Sequence, residues 1–197
     1  MYRKRKQNTI VAATALACGL FNYAALAGGG EPAVLKRGAQ LIAYGGCSDC
    51  HTPLKMGANG PEKDVARGLS GHPADLRLPP PPKLDGAWNW AGSASMTAFV
   101  GPWGVTYAAN LTPDRETGIG AWREKDFVQA MRTGKHVGVA RPILPPMPWQ
   151  AISTLSDRDL RAIYAYLMAQ PAVKNKVPDY VPPAPASSKA GGGRTPG

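Results

Sequence analysis

Cys47-Ser48-Asp49-Cys50-His51 is the stretch from which this chain can be read. Two thiols three positions apart, with a histidine directly after the second, form the pattern for covalent haem attachment. Each thiol adds to one vinyl group, so both sulfurs must reach the edge of a single porphyrin. The histidine that follows is held against the iron, where an imidazole nitrogen makes a strong axial ligand. Other readings of the pentapeptide fit less well. A thioredoxin-like dithiol belongs in a βαβ pattern, and no alternating strands flank this one. A structural zinc site needs four ligands, and Cys18 is the only other cysteine.

Upstream, Arg3, Lys4, Arg5 and Lys6 precede an apolar run from Ile10 to Ala27, and Ala25-Leu26-Ala27 fits a small-residue cleavage site. The sequence therefore predicts a signal peptide over residues 1–27 and a periplasmic or otherwise exported product. Covalent haem ligation belongs on that side of the membrane, so the two signals agree. Two alternatives tether the product: an uncleaved apolar run, or lipidation of Cys18 after Ala15-Leu16-Ala17. The leader holds four of the 23 Lys+Arg residues and none of the 13 Asp+Glu, so its removal lowers the net charge from +10 to +6. Such a surface steers acidic partners. No basic cluster follows residue 27, which argues against nucleic acid. The remaining chain is long enough for one domain with its own core.

Within residues 28–177 the patterning predicts three helices. Pro32 to Tyr44 places Val34, Leu35, Gly38, Leu41 and Ile42 at helical spacing and ends at Gly45-Gly46. Asp126 to Arg132 makes a second, starting near Arg123 or Glu124 and stopping at Gly134. Asp157 to Ala169 makes a third, with Ser156 as N-cap and Leu160, Ile163, Tyr164 and Leu167 as its buried stripe. Residues 51–96 are rich in Gly and Pro, and the run Pro79 to Pro82 excludes helix and central sheet there. The stretch reads as ordered loop. From Pro178 to Gly197, Pro, Ala, Ser and Gly predict a flexible tail.

This arrangement resembles the class I cytochrome c family over roughly residues 33–170. The resemblance implies an all-α, cytochrome c-like fold, with few helices around one haem and long Pro/Gly-rich loops. It also implies a crossing of the first and last helices at a glycine, here Gly38, facing an aromatic for which Tyr164 is the choice. The second axial ligand in that family is a methionine shortly before the last helix, and Met147 stands there within Pro145-Pro146-Met147-Pro148-Trp149. Flanking prolines stiffen such a loop and reduce the entropy lost when the sulfur is fixed. Met96, His72 and His136 are rival ligands; Met131 and Met168 fall in helices and read as core filling. The family's proline carbonyl that accepts the proximal imidazole N–H maps to Pro61, with Pro53 as the alternative.

Asn110-Leu111-Thr112-Pro113-Asp114, followed by Thr117-Gly118-Ile119-Gly120 and Trp122, is similar to a segment of the cytochrome subunits of membrane alcohol and aldehyde dehydrogenases. Turn chemistry alone accounts for many of these residues. The resemblance further implies that Asn110 and Trp122 lie at the haem edge, donating to propionates or walling the pocket. The cofactor set is then one covalently bound haem c with its iron held by His51 and Met147. Such an iron has no open position, which points to single-electron exchange with redox protein partners, a dehydrogenase or a terminal oxidase, and not to an enzyme. A dedicated subunit of an alcohol- or aldehyde-oxidising complex is the first alternative. A haem enzyme or gas sensor is the second, and carbon monoxide binding to the reduced protein would single it out.

Overall fold

The computed structural model describes residues 30–138 and 141–183, and from Val34 onward they belong to one compact unit. Helices there share the chain with two small antiparallel sheets, which corrects the all-α expectation. The strands lie in the Gly/Pro-rich stretch and in the residues just after it. Leu54–Gly57 (β1) pairs with Gly60–Lys63 (β2), and Ala91–Gly92 (β3), Ala98–Gly101 (β4) and Gly104–Tyr107 (β5) form a second sheet in that order. Glycines at both ends of the Pro102-Trp103 turn permit a two-residue hairpin loop, and Phe99, Val100, Val105 and Thr106 supply β-favouring side chains. These strands are too short to leave a periodic signal. Residues 76–85, including Pro79 to Pro82, have no regular structure, as the proline run requires.

Helix α1 runs Gly30–Tyr44 and helix α5 runs Asp157–Met168. The two meet at Gly38: a β-carbon there would run into the Ala162 carbonyl oxygen and come within 2.6 Å of Tyr166 Cβ. The glycine crossing is present, but its partners are Ala162 and Tyr166, four residues apart and therefore on one helix face. Tyr164, two positions from each, turns away. Its ring packs 5.7 Å from Phe127 and its hydroxyl donates to the Trp122 carbonyl at 2.7 Å.

Helix α3 spans Glu124–Thr133 and α4 is the short Trp149–Ile152. Asp126 accepts from the Arg123 backbone N–H at 3.1 Å, and Gly134 ends the helix in the left-handed region at φ 63°. Phe127, Ala130 and Met131 of α3 join Leu160, Ile163 and Leu167 of α5 and Leu41 and Ile42 of α1 in one apolar core. At the start of α5, Ser156 Oγ accepts the Asp159 N–H at 3.1 Å. Ser156→Ala is expected to cost about 1 kcal/mol, read as a lower urea midpoint with an unchanged slope.

The segment after α5 returns across the molecule. Val181 exchanges both backbone hydrogen bonds with Val105 at 2.8 and 3.0 Å, and the Tyr180 hydroxyl donates to the Trp103 carbonyl at 2.6 Å. So the first residues of the expected flexible tail lie along β5. Residues 184–197 and the expected signal peptide lie outside the described residues.

Candidate haem-binding site

Gly45 and Gly46 end α1 and turn the chain directly into α2, Cys47–His51. Gly46 adopts φ 63°, a left-handed conformation that glycine reaches without strain. One helical turn then sets Cys47 and Cys50 on the same side with His51 beside them. Both thiols are unpaired and partly exposed. Burial pushes both thiols above their ordinary value, with Asp49 adding to the effect, so they are protonated at neutral pH. His51 is buried at 8% exposure, its carbonyl accepting the Gly71 N–H at 2.8 Å. Its Nδ1 lies 2.8 Å from the Ala109 carbonyl oxygen. A carbonyl only accepts, so Nδ1 carries the proton and Nε2 is left with a free lone pair. Burial lowers the imidazole below its ordinary range, which favours the neutral, metal-binding form.

Met147 sits between α3 and α4 in a loop tied at several points. Ile143 donates to Gly134 O at 2.7 Å, Thr106 Oγ1 donates to Pro145 O at 3.0 Å, and Trp149 N donates to Met147 O at 2.9 Å. The Trp149 indole fills the space over Gly134, where a β-carbon would collide with it. Cys47, Trp122 and Met147 all pack, half-buried, against the same apolar core.

No protein-family model matches the chain. Curated relatives do. The chain is 33% identical over 151 residues to a nicotinate dehydrogenase subunit of Pseudomonas putida, covering 77% of this chain and 10% of that protein. It is 31% identical over 158 residues to the gluconate 2-dehydrogenase cytochrome c subunit of Pantoea cypripedii, covering 78% and 27%. It is 32% identical over 152 residues to the cytochrome c subunit of the quinone alcohol dehydrogenase of Gluconobacter oxydans, covering 76% and 24%. Over the matched residues the chain resembles cytochrome c subunits of dehydrogenases. It spans between 10% and 27% of the length of these relatives.

A covalently bound haem c is the cofactor the resemblance implies, and the donor set of this chain fits it. Two unpaired thiols, one neutral imidazole with a free nitrogen and one thioether are present, and the imidazole is already oriented by a second-layer acceptor. That acceptor is Ala109, neither Pro61 nor Pro53. Pro61 lies in β2 opposite Met56, and the Pro53 carbonyl is taken by the Asp64 N–H at 2.8 Å.

Asn110 also differs from its expected role as a propionate donor. It is 4% exposed, and its Nδ2 faces the Val173 carbonyl at 2.8 Å, Thr117 Oγ1 at 3.2 Å and the Asn175 carbonyl at 3.4 Å. Its Oδ1 accepts from the Thr112 N–H and hydroxyl at 2.9 and 2.7 Å. The amide is committed within the protein and serves as a bracket between the residue 110–117 loop and the segment after α5. Trp122 packs half-buried against the core, its carbonyl accepting from the Tyr164 hydroxyl.

Of the rival ligands, the Met96 sulfur packs beside Gly92. Both ring nitrogens of His72 face oxygens, Thr97 Oγ1 at 2.9 Å and Leu76 O at 3.4 Å. Asn175 is a residue that sequence reasoning missed: its Nδ2 donates to the Ser70 and His72 carbonyls at 2.8 and 2.9 Å, and its Oδ1 accepts the Ala74 N–H at 2.9 Å. A lone asparagine between two lysines carries no local signal of such a role.

Proposed function

We propose that this cytochrome is an exported, single-haem electron carrier rather than an enzyme. Cys47 and Cys50 hold one haem c through thioethers, His51 and Met147 ligate its iron, and Trp122 walls the pocket. The observation that carries this reading is the His51 ring. With its Nδ1 proton engaged by Ala109, the imidazole offers Nε2 alone, directly after two unpaired thiols on one turn of helix. The haem supplies a one-electron iron couple when bound. The chain's own part is to fix the donors: Ala109 orients His51, the tied loop presents Met147, and the core shields one side of the site. Met147, as a neutral thioether donor, would favour the reduced iron relative to a second histidine. Electrons then pass singly between a dehydrogenase and a further redox protein. The similarity to named cytochrome subunits of dehydrogenases also supports a second reading, a dedicated subunit of such a complex. Co-purification with a catalytic subunit separates the two.

Among the described residues no helix is long and apolar enough to cross a membrane. Membrane association, in this reading, depends on an uncleaved or lipidated N-terminus. The test joins mass spectrometry of the peptide containing Cys47 and Cys50 with an optical spectrum of wild type and Met147→Ala. The peptide is expected to carry one macrocycle. The oxidised wild type is expected to show the weak red band of methionine–iron bonding, and the variant to lose it. A band that persists in Met147→Ala would refute Met147 as the sixth ligand.

A further inference from the structure

A buried polar chain lies behind the Ala109 carbonyl, and haem attachment alone does not call for it. His72 is 1% exposed and Thr97 is fully buried. His72 Nδ1 lies 2.9 Å from Thr97 Oγ1, Thr97 Oγ1 lies 2.8 Å from Ser95 Oγ, and Ser95 Oγ lies 2.9 Å from Ser93 Oγ. The other ring nitrogen faces the Leu76 carbonyl, which only accepts, so Nε2 holds the proton. Nδ1 then accepts from Thr97, Thr97 from Ser95 and Ser95 from Ser93, whose oxygen accepts the Ala98 N–H at 3.1 Å. Every group in the chain is satisfied with a single sense of donation. The imidazole also packs on Tyr107, with centroids 4.9 Å apart.

Backbone bonds connect this chain to the iron ligand. The His72 N–H donates to Ala108 O at 2.9 Å and the Ala108 N–H donates to Thr97 O at 2.8 Å. Ala108 is therefore gripped on both sides by the two residues whose side chains are bonded to each other. Its neighbour Ala109 supplies the carbonyl that accepts from His51. Gly71, preceding His72, donates to the His51 carbonyl at 2.8 Å. A β-carbon on Gly71 would collide with the Ala108 carbonyl, so the two segments lie flush.

We propose that His72 is a positioning residue for the proximal ligand: through Thr97 it fixes Ala108 and Ala109, and so keeps the Ala109 carbonyl in line with the His51 Nδ1 proton. The inference rests on the haem reading above. A well-aligned carbonyl makes the imidazole more basic and a better donor to oxidised iron. Loosening it weakens that donation and raises the reduction potential. Buried hydroxyl and imidazole groups cost free energy unless every one is satisfied, and this chain meets that condition only as a unit.

The experiment uses full-length, haem-loaded protein. Thr97→Val removes the hydroxyl and keeps the shape, His72→Phe removes both ring hydrogen bonds and keeps a ring against Tyr107, and Thr97→Ser restores the hydroxyl. Midpoint potential and the NMR shift of the His51 Nδ1 proton are measured beside thermal stability. Thr97→Val and His72→Phe are expected to raise the potential and move the proton signal, and Thr97→Ser to leave both at the wild-type values. Lower stability with unchanged potential and proton shift in Thr97→Val would overturn the proposal, as would a Thr97→Ser shift equal to that of Thr97→Val. If His72→Phe does not fold, Thr97→Val decides alone. A wild-type peptide without macrocycle would instead refute the haem reading on which the inference rests.

Discussion

Gly38→Val is expected to lower the stability of the folded chain by about 3 kcal/mol. The added β-carbon would meet the Ala162 carbonyl oxygen and Tyr166 Cβ, both fixed parts of α5. Neither can swing aside like the end of a flexible side chain, so the two helices must separate. Separation opens the packing among Leu41, Ile42, Leu160 and Ile163, where lost contacts add to the steric cost. Urea unfolding followed by circular dichroism checks this. A variant as stable as wild type would mean that α1 and α5 do not cross closely here.

Asn110→Ala is expected to cost a similar amount, about 3 kcal/mol, by a different route. The buried Thr112 N–H and hydroxyl lose their shared acceptor, and the Val173 carbonyl loses a donor at 2.8 Å. Each buried polar group left without a partner costs about 1–3 kcal/mol. The outcome also separates two roles for this residue. A bracket between distant segments predicts lost stability with little change in reduction potential. A donor to a haem propionate predicts the reverse, a shifted potential with near-normal stability. Chemical denaturation and a redox titration on the same preparation distinguish them.

What the sequence revealed follows from how local each signal is. The attachment motif is contiguous, so its thiols and imidazole could be found without a fold. Helices α3 and α5 carry their own boundary chemistry, Gly134 after one and Ser156 before the other, and both markers sit where the patterning put them. The sheets were missed because their strands run two to four residues, below the length at which alternation is visible. The all-α expectation failed there for the same reason. The acceptor for His51 was missed because it is a backbone carbonyl 58 residues away, and no side chain announces a carbonyl. Tyr164 is the expected partner of Gly38 because it shares the apolar stripe with Leu160 and Leu167, yet Tyr166 also lies on this helix. Only the direction of approach of α1 tells which of them meets Gly38.

The pairing of Val181 with Val105 has a consequence beyond local geometry. An uncovered outer strand offers unpaired amides and carbonyls to any neighbouring chain, a common starting point for unwanted polymerisation. Here the returning polypeptide covers that rim of the three-stranded sheet, while at the opposite rim β3 is only two residues long. Neither side leaves a long template for a foreign strand. The chain is thereby protected, at this sheet, from sticking to copies of itself.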